Sequence, residues 1–189
     1  MKTTFKVLIL ISTCWLAGCV IPSLNPLFTE RQSITYPAIV GSWTQDDGKQ
    51  TWTFAASTNN TYKVTQTDED HHVAIFDVRI GKLGTNIFFD SFIDDPKFED
   101  RINNLAILHL AGVHLITKVS NDGDALHLTW LDVEWMNGEL KKNPKLIPHV
   151  MQSERAILTA STEELQKFVT QYAADTNAFK NEIKLMRKK

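Results

Sequence analysis

Six histidines and two acidic runs are the residues of this chain whose types first invite chemistry. Asp68-Glu69-Asp70-His71-His72 offers carboxylates and imidazoles, which are metal ligands. Adjacent side chains of an extended segment point to opposite faces, so His71 and His72 do not converge on one ion. The spacing is not that of a zinc site, and a solvated hairpin loop is expected. Asp94-Asp95-Pro96 through Glu99-Asp100 invites calcium. It lacks the glycine and ligand order of an EF-hand loop, so a surface loop is expected there too. His114 and His127 share one face of a hairpin, where two imidazoles could act as acid and base. In the expected register His114 faces Leu131 and His127 faces Lys118, which leaves two half-exposed strand histidines rather than a pair. His109 and His149 have no partner visible in sequence. The chain lacks Gly-x-Ser-x-Gly, His-Glu-x-x-His, a phosphate loop and a dinucleotide fingerprint. No nucleophile–base set can be named, so catalysis is not the expectation, and neither is a metal or a cofactor.

Sulfur chemistry is confined to the start of the chain. Met1 to Lys6 carries two positive charges and no acid, and Val7 to Ile11 is an unbroken apolar run continued by Cys14, Trp15, Leu16 and Ala17. A basic region followed by an apolar run too short to span a bilayer is the pattern of a signal peptide. It closes on Leu16-Ala17-Gly18-Cys19, with small residues before the cysteine. This segment resembles the lipobox of bacterial lipoproteins. The resemblance implies cleavage between Gly18 and Cys19, diacylglycerol on the Cys19 sulfur, and often a further acyl chain such as palmitate on the new amino group. Two or more chains give stable attachment where one is marginal. It implies an envelope location, and Val20 in place of aspartate after the cysteine implies the outer membrane, facing the periplasm, in a bacterium with two membranes.

Processing would divide the chain into a signal peptide over 1–18, a lipidated tether and lead-in over 19–39, and a domain over 40–189. The 171 residues from Cys19 onward lose Lys2 and Lys6, leaving 18 basic against 22 acidic residues, a formal net charge of −4. Negative charge and envelope location argue against nucleic-acid binding. Cys14 leaves with the signal and Cys19 is lipidated, so the domain has neither free thiol nor disulfide and must be held by a packed core.

The elements that must form that core are strands. Pro22, Pro26 and Pro37 keep the lead-in from helix, with Leu24, Leu27 and Phe28 as candidates to touch the domain. Asn25 to Glu30 resembles the start of many small bacterial lipoproteins that run on into a Gly-x-Trp. Thr51-Trp52-Thr53-Phe54 alternates, Val73 to Ile80 puts Ala74, Phe76, Val78 and Ile80 on one side, and Asn86 to Ile93 aligns Ile87, Phe89, Ser91 and Ile93. A hairpin over Val113 to Asp132, turning on Asp122-Gly123, pairs Val119 with Leu126, Thr117 with Leu128 and Leu115 with Trp130. Ser161 and Glu164 form a capping box, and Leu165, Phe168, Val169 and Tyr172 follow as one stripe. Phe179 and Ile183 extend it, giving a C-terminal helix over about 161–186 and a basic tail from Lys184 to Lys189.

Gly41-Ser42-Trp43 at the opening of the first strand, with strands and then a helix after it, is similar to the lipocalin arrangement. The resemblance implies a mainly β fold, an antiparallel barrel or half-barrel of calycin type, with Gly41 and Trp43 as its signature and the tryptophan packed across the barrel bottom. Another antiparallel β fold stays open. Two functions follow as expectations. One is a non-catalytic module binding a small apolar or lipid ligand inside the barrel. The other is an envelope structural or immunity-type lipoprotein with a filled core and a protein partner.

Overall fold

Alternation of apolar and polar residues with period two puts one face of a strand in the core. The computed structural model, which describes residues 20–45, 47–93 and 112–188, follows that rule. Eleven strands form: β1 Pro22–Ser23, β2 Gly41–Gln45, β3 Thr51–Ala56, β4 Thr61–Thr67, β5 Val73–Leu83, β6 Asn86–Phe92, β7 His114–Asn121, β8 Ala125–Leu131, β9 His149–Gln152, β10 Arg155–Leu158 and β11 Phe179–Arg187. Strands β2 to β8 pair antiparallel in chain order, and β11 lies between β8 and β2. The eight strands therefore close into an antiparallel barrel, which removes the exposed edges of an open sheet.

The barrel lining is apolar. Trp43 stands opposite Trp52, Phe54 opposite Val64, Val64 opposite Phe76 and Ile80 opposite Phe89. Val119 pairs with Leu128, and Leu128 with Ile183. Most of these side chains are fully buried, each worth roughly 1.5–3 kcal/mol of transfer free energy. The β7–β8 hairpin differs from expectation by two residues: Asn121 faces Leu126, and Thr117 faces Trp130. Its turn is centred on Gly123 and Asp124, with the Asp122 amide donating to the Ala125 carbonyl (3.1 Å). A shift of two preserves the face of every side chain. Val119, Leu126, Leu128 and Trp130 therefore line the interior as read.

The C-terminal helix over 161–186 is corrected. Helix α2 runs Thr162–Tyr172; α1, Val133–Lys142, precedes it. The Ser161–Glu164 capping box forms, and Leu165, Phe168 and Val169 are buried. Asp175-Thr176-Asn177 then turns the chain, with the Asn177 amide on the Asp175 carboxylate (2.8 Å). From Phe179 to Arg187 the chain is β11, so residues 184–187 of the expected basic tail belong to a barrel strand. A bulge between Lys180 and Ile183, with Asn181 at φ +57°, flips the side-chain parity. Phe179 consequently packs outside the barrel, while Ile183 and Leu185 face its interior.

A second core covers one outer wall. Met136 and Leu140 of α1, Leu165, Phe168 and Val169 of α2, and Ala156 and Leu158 of β10 pack there with Phe88, Ile116 and Leu131. Asp132 caps α1 by accepting from the Trp135 amide (2.8 Å). The lead-in joins this layer from its first described residues. Ile21, Ser23, Leu27 and Phe28 are buried, whereas Leu24 is exposed. The Leu27 and Phe28 amides donate to Asp90 Oδ2 (3.0 and 3.3 Å), and the Phe28 ring lies over Gly81, where any Cβ would sit 2.3 Å from it.

Candidate functional site

The two ends of the barrel are built differently. At one end Trp43 is fully buried, and its indole N–H donates to the Ile39 carbonyl (2.7 Å) in the 3-10 turn Pro37–Ile39. The Arg187 guanidinium lies 4.1 Å above the Trp43 ring and donates to the Val40 and Ala38 carbonyls (3.1 and 2.5 Å). Gly41, at φ +124°, gives Arg187 its room: a Cβ there would lie 3.2 Å from the guanidinium in a backbone conformation that side chains rarely adopt. Gly41 and Trp43 thus come together as a stopper locked by the last residue of β11.

The other end is where the 46–50 and 68–72 connections leave the barrel. Its inward positions Gln45, Gln66, Phe76, Ser91 and Leu115 are only partly buried, as is Trp52, which stands beside Trp43 on the neighbouring strand and reaches towards this end. Trp52 meets Phe76 edge to face, centroids 6.0 Å apart, and Gln66 donates to Gln50 (3.3 Å). The Trp52 indole N–H is buried and has no hydrogen-bond partner. Such a donor costs roughly 1–3 kcal/mol and calls for an acceptor. Below this aromatic cup the lining from Phe54 and Tyr62 to Leu126 and Leu185 is tightly buried. Two clefts lie outside the barrel, around α1 and β9. One of 760 Å³, between Asp132, Glu134, Asn137 and Arg155, is open and polar. A second, of 490 Å³, runs between Leu140, Lys141, His149 and Met151.

The histidines are occupied separately. His114 Nδ1 lies 2.7 Å from the fully buried Asp90 carboxylate, which also holds the lead-in. His127 Nδ1 lies 2.8 Å from Glu182, and its other nitrogen 3.5 Å from Asp122. The hydrogen bond to Glu182 holds the His127 pKa above its ordinary value, and the Ala125 amide, followed by His127, holds Asp122 below its own. The structure does not bring His114 and His127 together. His72 Nδ1 sits 3.1 Å from Asp68 within the exposed 68–72 loop, and His149 Nδ1 lies 2.8 Å from the Ile147 carbonyl. Among the described residues no group of three or more His, Cys, Asp or Glu is placed to hold a metal, and no helix is long and apolar enough to cross a membrane.

Gly18, Cys19, His109 and the acidic run from Asp94 to Asp100 lie outside the described residues. Trp52 and Phe76 are the site residues that sequence reading passed over, because it registered them only as strand positions. Their meeting depends on β4 lying between β3 and β5. Comparison of the chain with protein-family models, with curated proteins and with solved structures gives no match.

Proposed function

We propose that this protein is a lipid-anchored, non-catalytic binding protein of the bacterial cell envelope, held through Cys19, with a calycin-like barrel whose aromatic end receives a small, partly apolar ligand. The anchor reading rests on the basic start, the short apolar run and Leu16-Ala17-Gly18-Cys19. Val20 directs the lipidated form to the outer membrane in a two-membrane cell. The calycin-like reading is supported by the Gly41–Trp43 stopper in a closed eight-stranded barrel. The unpartnered Trp52 N–H carries the ligand reading: a group with an acceptor atom and a flat apolar part would satisfy the indole and stack beside Phe76. Because the lining below is filled, the ligand sits in a cup rather than in a deep chamber.

The test is native mass spectrometry of the Cys19→Ala domain purified from its own host, beside a Trp52→Phe variant. A small molecule that travels with the first and is depleted from the second is expected. A bare domain in both cases ends the ligand reading. The packed lower barrel favours a second reading, an envelope protein that binds a protein partner on its outer surface. Crosslinking in intact cells that yields one defined protein adduct, with no co-purified small molecule, would select it.

A further inference from the structure

Val20, the first described residue, already bridges to Asp132 beyond β8 and packs against the barrel-lining cluster. Neighbouring Cα atoms are about 3.8 Å apart. A lipid on Cys19 would therefore leave the domain at that point, with no flexible spacer. The point belongs to the aromatic end, because Pro22 and Ser23 pair with Leu115 and His114 at the first residues of β7.

The same end carries apolar surface. The sheet continues from β7 through β1 and β10 to β9, and its pairing puts Leu24, Ile157 and Val150 on the face continuous with the barrel lining. Leu24 is 44% exposed and Val150 51%; Ile93, one residue past β6 and of the lining parity, is 50% exposed. Val73 and Ile75, at the start of β5, are exposed towards this end as well, whereas Val40 is the only exposed large hydrophobic at the stoppered end among the described residues. Apolar surface concentrated at one end marks an interaction face.

We infer that the barrel docks mouth-first on the bilayer, with Leu24, Ile93 and Val150 in the headgroup layer beside the inserted acyl chains of Cys19. The inference rests on the lipid-anchor reading above. The 68–72 loop, with Asp68, Glu69 and Asp70, lies at the same end, since Thr67 pairs with Val73 on either side of it. Its acids keep the contact shallow and favour neutral over anionic headgroups. The aromatic cup then opens onto the headgroup layer.

The absence of any other thiol in the mature chain makes the test clean, because an introduced cysteine is the single site for a spin label. Lipidated Leu24→Cys, Ile93→Cys and Val150→Cys proteins, and Ser57→Cys at the stoppered end as control, are labelled and reconstituted in phosphatidylcholine–phosphatidylethanolamine vesicles. The ratio of collisions with oxygen to collisions with a water-soluble nickel chelate is expected to be several-fold higher at residues 24, 93 and 150 than at residue 57. Equal ratios at all four sites overturn mouth-first docking. Intact mass separates the two levels. A lipidated protein with aqueous labels sinks the docking alone, and an unlipidated one sinks the anchor reading and the docking with it. Circular dichroism of each variant identifies any that has not folded, and three labels keep the outcome readable if one is lost.

Discussion

The Asp90 carboxylate is shut off from solvent, and among the described residues it meets the amides of Leu27 and Phe28 and the ring of His114. Asp90→Ala would leave two buried backbone donors unpaired and is expected to lower stability by about 2–4 kcal/mol, measured by urea unfolding. Asp90→Asn keeps an acceptor oxygen and is expected to cost less; equal losses would contradict the hydrogen-bond account. His127 makes a different kind of statement. Its pKa is raised in the folded state by Glu182. The stabilisation from this pair is therefore fully present below the unfolded value of about 6.5 and is lost as pH rises through the folded value. In Glu182→Gln the His127 titration followed by NMR is expected to move down towards that unfolded value, and an unmoved midpoint would show that Glu182 is not the cause.

The elements carry the parity on which the barrel depends. Deleting Asn181 would remove the bulge residue and turn either Phe179 or the pair Ile183 and Leu185 to the wrong side. Ending the chain before Phe179 would remove β11 and expose the edges of β8 and β2. Both changes are expected to give insoluble protein on expression, and a soluble truncated chain with an unchanged far-ultraviolet spectrum would refute closure by β11. Gly81→Ala drives a methyl into the Phe28 ring and is expected to cost about 1–3 kcal/mol, read from thermal melting. Much of this level is legible in sequence because strand periodicity is local. Val73 to Ile80 and the β7–β8 hairpin announce their inner faces even with the hairpin register off by two. The end of α2 is not legible in the same way. Phe179 and Ile183 stand at i and i+4, which fits a helix stripe as readily as a strand with a bulge, and only the demand for an eighth strand decides between them. Helix α1 goes unread in the sequence analysis, although Asp132 as its cap and Met136 and Leu140 on its apolar face are a signal that could have revealed it. The cup around Trp52 and Phe76 left no such signal, since those residues meet through pairing across β4.

At the scale of the whole molecule, a stoppered barrel, a covering layer and a lead-in packed from Val20 onward make one body, to which the proposed lipid on Cys19 would attach one residue before Val20. Residues 20–188 contain no cysteine, so packing and hydrogen bonds hold the fold without a disulfide. The proposal that orients everything else is acylation of Cys19, and the mass of the N-terminal peptide tests it most directly, in protein extracted with detergent from host membranes. The peptide is expected to begin at Cys19 and to carry thioether-linked diacylglycerol. A peptide that retains residues 1–18, or one that begins at Cys19 with an unmodified thiol, would contradict it.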